Sequence, residues 1–294
     1  MKEIFRNMGP AARLGIFLLL VVTAFLVAAL ITAATMMDTG GAKSDTLIWI
    51  QGISQIVMFL LPALIFAWLF DGKASRYFQT GVKRWQLWTV LLSMLLIIIA
   101  IPMVDMLSTW NESIHLPESL SQWEASMRQK QEQSQQMMDG FLARPGIGNM
   151  LVNLLVLALI PAVCEDFVFR GVVQKTLVQW TCNPHVAVLI AAAIFSVTHF
   201  EVFLFLPRFV LGVVLGYIYF YSRTIWASTL AHFTNNAIIV VMYYISATNG
   251  LDIDPQHLQI PYPALFGAIS LILTTIVVIF IAKIGVKNQK NPLD

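Results

Sequence analysis

Eight runs of apolar residues, most of them close to 20 long, dominate the chain, near residues 14–36, 47–70, 87–107, 148–163, 185–202, 204–222, 224–246 and 263–282. About 20 apolar residues are what a helix needs to cross the hydrocarbon core of a bilayer. Within lipid every backbone polar group must be satisfied inside its own segment, so runs of this length read as helices. The chain is therefore expected to be all-α, a polytopic membrane bundle of about eight transmembrane helices. At 58% hydrophobic and 12% charged, its 294 residues leave little for a soluble domain. A net charge of +2 excludes a nucleic-acid binder that works by bulk charge. Two cysteines, Cys164 and Cys182, form one bridge at most, so disulfides do not organise the fold. The first run is longer than the apolar core of a signal peptide and reads as a retained helix.

Basic residues sort by side. Cytoplasmic segments keep Lys and Arg, and alternating the runs puts thirteen on one side, among them Lys73, Arg76, Lys83, Arg84, Arg170, Lys175, Arg223 and Lys283. The other side holds Lys43, Arg128, Lys130 and Arg144, with Arg208 inside the sixth run. Both termini are thus expected in the cytoplasm. The long polar stretch 108–147 falls outside, and its helical segment Ser119–Phe141 reads as a solvated or interfacial helix, with a substrate-binding lid as the lesser alternative.

Ionisable residues in a bilayer cost several kcal/mol, so their positions mark function. They concentrate in CEDFVFRG (Glu165, Asp166, Arg170), FSVTHF (His199) and AHFTNN (His232, Asn236). Asp166 and Arg170 lie four apart, as do His232 and Asn236, so each pair shares a helix face. Glu165 is rotated about 100° from Asp166 and is free to address another helix. A water-activating site needs a carboxylate base, a partner that orients the water, and donors for the oxyanion. Glu165, His199, His232 and Asn236 supply these types. A purely structural hydrogen-bond network is the bland alternative. Counted from their turns, Glu165 and His199 stand about 25 Å in and His232 only about 13 Å, so the helix hairpin around residues 182–184 is expected to project into the cytosol by two turns or more.

The ordered motifs E-D-x-x-F-R-G, F-x-x-x-H and H-x-x-x-N, over residues 148–240, resemble the CPBP (Abi) family of intramembrane proteases, which includes CAAX prenyl endopeptidases and bacteriocin-processing proteins. The matching positions are Glu165, Asp166, Phe169, Arg170, Gly171, Phe195, His199, His232 and Asn236. The resemblance implies peptide-bond hydrolysis in a helical core opening towards the cytosol. Glu165 would activate water with His199, His232 and Asn236 would stabilise the oxyanion, and Asp166 and Arg170 would brace the site. The family usually has a second Glu where this chain has Asp166; the acid one methylene shorter speaks against a direct catalytic or metal role for it and leaves the local pair with Arg170. Both metalloprotease and metal-independent glutamate mechanisms are described for the family. No cofactor is required by the sequence; a zinc ion, if held, would take Glu165, His199 and His232.

The expected protein is an endopeptidase of a bacterial inner membrane, its partners the lipid bilayer and a membrane-anchored or hydrophobic peptide. Its expected division is N-terminal helices to residue 147, a catalytic core over 148–246 and a last helix with its tail over 247–294. A proton-coupled transporter is the alternative, as is a silent immunity or scaffold protein. Gly212 and Gly216 read as a helix-packing GxxxG. Asp105 and Glu201 read as side chains reaching for water at helix ends.

Overall fold

The computed structural model describes residues 7–38, 44–142, 144–251, 258 and 260–288; Lys2, Arg6, Lys43 and Lys290 of the charge count lie outside them. The described residues form helices and no strands: α1 (Pro10–Asp38), α2 (Thr46–Asp71), the one-turn α3 (Ala74–Tyr77), α4 (Arg84–Glu112), α5 (Ser121–Leu142), α6 (Ile147–Thr181), α7 (Pro184–Val197), α8 (Phe205–Ser222), α9 (Ile225–Asn249) and α10 (Pro263–Asn288). Seven are long and apolar enough to cross a membrane. Large apolar side chains such as Leu19, Leu30, Leu91, Ile98 and Ile272 stay exposed along them, a surface for lipid. The chain is an integral membrane protein.

The fifth run departs from expectation. Its helix α7 stops at Val197, 14 residues from its start, about 21 Å and too short to span. Asn183 starts it by accepting from the amides of His185 and Val186. It ends because Thr198 and His199 turn and Phe200 takes a left-handed φ of 55°. His199 thereby sits in a turn rather than on a helix.

Hydrogen bonds between distant segments define two ends. At one, Trp226 donates to Thr80, Lys175 to Tyr77, and Gln86 to the carbonyls of Ser222 and Arg223. At the other, Asn111 bridges to Val202 and Leu206, and Leu258 donates to Asp105. The segment 113–146 belongs to this second end. Arg170, counted above with the cytoplasmic charges, does not face water at either end: it is 2% exposed inside the bundle.

Prolines shape the long helices. Pro62 and Pro161 lack the amide a helix needs and crowd the carbonyl four residues back. The turns before them widen into π-helix at Ile56–Leu60 and Leu154–Leu159. At Pro102 in α4 the neighbouring helix mends the ladder, for Ser270 of α10 accepts from Met103 and donates to Ile99. A third π-helical stretch, Phe167–Gln174, is buried along its whole length just after the acidic pair.

Close approach explains the glycines that matter. Gly212 and Gly216 of α8 lie against Ala192 and Val188 of α7, where an added Cβ would come within 3.1 and 2.9 Å. Gly171 faces the fully buried Phe78, with the same atom only 2.5 Å from the ring. Gly171→Ala is expected to cost about 1–3 kcal/mol through overpacking, read by denaturant titration, and Phe78→Leu in the same chain should recover part of it.

Helix α5 is fastened at its first turns. Glu124 accepts from the amide of Leu116 and pairs with Arg128 and His115. The Leu116 amide first, then Arg128, holds the Glu124 carboxyl down at about 2 against an ordinary 4.5. A depressed carboxyl stabilises above its ordinary value and stops doing so as pH falls through its folded value. The protection of α5 amides relative to their intrinsic exchange should therefore fall between about pH 4.5 and 2, and Glu124→Gln should abolish that fall.

Candidate active site

The acidic pair sits in the middle of α6, where Pro161 and the following π-helical stretch widen the helix on both sides. Asp166 is fully buried and Glu165 is 9% exposed. A buried carboxylate needs a positive or donating neighbour. Arg170, one turn on, places Nη1 3.2 Å from Asp166 Oδ1. The guanidinium also stacks over Phe195 of α7, 4.7 Å from the ring centre. The pair expected from the four-residue spacing is therefore formed, inside the bundle.

His232 enters from α9. Its Nδ1 lies 3.2 Å from Asp166 Oδ1 and its Nε2 3.8 Å from Glu165 Oε2. Two adjacent carboxylates thus clasp opposite sides of one imidazole. The Asp166–His232 contact was not legible in the spacing, which pointed Asp166 only at Arg170. One Asp166 oxygen thus serves both the Arg170 guanidinium and the His232 ring.

His199 hangs beside the same core. Its Nδ1 is 2.8 Å from the carbonyl oxygen of Phe195. A carbonyl only accepts, so Nδ1 carries the hydrogen and Nε2 presents a lone pair. The rings of His199 and His232 both meet Phe195 edge-on, at 4.9 and 5.9 Å. Asn236 lies one turn beyond His232, and its Oδ1 accepts from Asn235. Direct contacts thus join Glu165, Asp166, Arg170 and His232, while His199 is tied in through Phe195 and Asn236 through its place on α9. The offset between the helices is absorbed, since α6 and α9 meet at Asp166 and His232.

Among the described residues no group of three or more His, Cys, Asp or Glu side chains is placed to hold a metal ion. Cys164 beside Glu165 is buried and Cys182 exposed; both are free thiols.

Two residues read as peripheral belong to the surroundings of the site. Glu201 does not reach for bulk water but pairs with Arg208. Arg208 stands close enough to Glu165 and His199 for its charge to act on both. The lone arginine in the sixth run was the available signal. Asp105, also read as reaching for water, is buried and accepts from Leu258.

Residues 147–238 match the family described as type II CAAX prenyl endopeptidase Rce1-like. A protein of Bacillus subtilis (strain 168) named "Putative membrane peptidase YdiL" is 24% identical over 135 residues, which cover 46% of this chain and 52% of that protein. The chain thus spans about half the length of the relative it matches. No solved structure matches it. The matched stretch contains Glu165, Asp166, Arg170, His199, His232 and Asn236, so the residues that meet inside the bundle lie within the part of the chain that is similar to the Rce1-like family.

Proposed function

We propose that the protein is a membrane-embedded endopeptidase that hydrolyses a peptide bond of a membrane-anchored or hydrophobic peptide, with Glu165 as general base. The observation that carries this reading is the Glu165–His232–Asp166 clasp, three polar groups from two helices meeting inside an apolar bundle. The family match over the same residues supports it.

Glu165 takes a proton from water as the water oxygen attacks the carbonyl carbon. His199 accepts the second hydrogen of that water at Nε2 and so orients it, the form its bond to Phe195 enforces. The carbonyl oxygen becomes an oxyanion, which accepts from the Asn236 amide and from Nε2–H of His232 in its imidazolium form, whose Nδ1–H donates to Asp166. Asp166 pins His232 at Nδ1, so only Nε2 faces the reaction. Glu165 then passes its proton to the departing amine and the C–N bond breaks. Arg170 touches no reacting atom in this scheme; it balances Asp166 and holds the helices in register.

The charge distribution supports termini in the cytoplasm. It puts the ends of α6, α8 and α10 on that side and α5 on the other.

Purified protein should cleave an apolar peptide, and Glu165→Ala should lower the rate by about 10²–10⁴ while melting like wild type. Cleavage that survives exhaustive chelation is expected; loss under chelation with recovery on adding zinc would refute the metal-free scheme. Asp166→Ala leaves Arg170 as an uncompensated buried charge and should cost about 3–5 kcal/mol, measured by unfolding. Asp166→Glu should keep the fold and lower kcat more than it raises KM, because it moves His232.

A further inference from the structure

A cavity of about 650 Å³ lies between α4, α8 and α9, roofed by α5. Ligand cavities fall in this size range and are mostly apolar, with a few placed polar groups. Here Ile97, Ile101, Val104, Leu211 and Ile239 supply the apolar wall. The cavity follows α4 from Glu112 down to Ile97, fifteen residues or about 22 Å. Its floor reaches Asn235, the neighbour and hydrogen-bond partner of Asn236, and Arg208. Helix α5, exposed along most of its length as a solvated helix would be, crosses its mouth. Arg128 stacks on Phe203 at 3.9 Å, and Gln135 donates to Tyr243.

Two buried polar atoms on the lining residues have no hydrogen-bond partner. One is Arg208 Nη1, a donor, whose sister nitrogen is taken by Glu201. The other is Gln131 Oε1, an acceptor, whose amide nitrogen is taken by Glu112. A buried polar atom left unpaired costs stability, so such atoms call for an explanation. A donor on the floor and an acceptor on the roof complement the C=O and N–H of a peptide main chain. Fully extended, about six residues span 22 Å.

We propose that this cavity binds an extended, apolar peptide main chain and delivers it to Glu165 from the end of the bundle that carries α5. Arg208 Nη1 takes a substrate carbonyl and Gln131 Oε1 a substrate amide. On the charge assignment this is the outer face, whereas the family resemblance implies entry from the cytosol. The delivery rests on the proposed peptidase reading; the binding does not.

The test uses the full chain in bacterial spheroplasts. Glu165→Gln prevents turnover, Cys182→Asn removes the exposed thiol at a left-handed position that suits Asn, and Ser108→Cys reports from the cavity wall. A charged, membrane-impermeant thiol reagent added outside should label Cys at position 108. An eight-residue Leu/Ala/Val peptide added with it should slow labelling at least tenfold. Gln131→Leu, or Arg208→Lys, which keeps the pair with Glu201, should each weaken that protection about tenfold without altering labelling in the absence of peptide. Labelling only after permeabilisation would overturn the outward opening. Peptide that gives no protection, or protection unchanged in both variants, would overturn the binding site. If the chain with Glu165 intact cuts the peptide but no protection is seen, only the cavity's role fails. If protection is seen and the peptide is never cut, the peptidase reading fails and the binding site stands.

Discussion

A guanidinium with 2% exposure in the interior of a lipid-immersed bundle is the constraint on which the rest of this structure depends. An isolated charge there is expensive, and removing its partner leaves that expense uncompensated. Asp166 must therefore stay within reach of Arg170, which requires one unbroken helix through α6. Phe195 must offer its ring face, which draws α7 against α6. The same Asp166 oxygen meets His232, which brings in α9. Three helices are thus registered by one ion pair, and Glu165, next to Asp166, has its position set by the same demand.

Chemistry and packing therefore share atoms. Phe195 is at once the stacking partner of Arg170, the edge contact of both histidines, and the carbonyl that sets the His199 tautomer. Gly171, next to Arg170, lets Phe78 approach and closes the end of the core nearest the 72–83 segment. At the opposite end the bundle is less tightly filled, and the space between α4, α8 and α9 is covered by α5 rather than by core side chains.

Much of this was legible in the residues. Lipid admits few backbone solutions, so the long apolar runs mark helices without knowledge of their neighbours. The cost of intramembrane charge likewise singled out Glu165, Asp166, Arg170, His199, His232 and Asn236. The errors share a cause. Arg170 was counted among loop charges, and Asp105 and Glu201 were taken to reach for water. In each case hydropathy and charge were read along the chain, while what covers the side chain comes from a different element: Asp105 accepts from Leu258, 153 residues on, Glu201 meets Arg208 of the following helix, and Arg170 lies over Phe195 of α7. The fifth run was read too long because apolar character continues past Val197 although the backbone turns at Thr198.

The sequence by itself determined that this chain lives in a membrane as helices, and which few side chains are too costly there to be incidental, because solvent transfer acts on each residue separately. Only the tertiary structure decided which oxygen meets which nitrogen. Asp166 reaches His232 as well as Arg170, His199 presents Nε2 because Phe195 occupies Nδ1, and Arg208 stands over the site from the cavity side. These are contacts between helices, and their geometry is set by crossing angles, π-helical turns and glycine contacts that no single segment encodes.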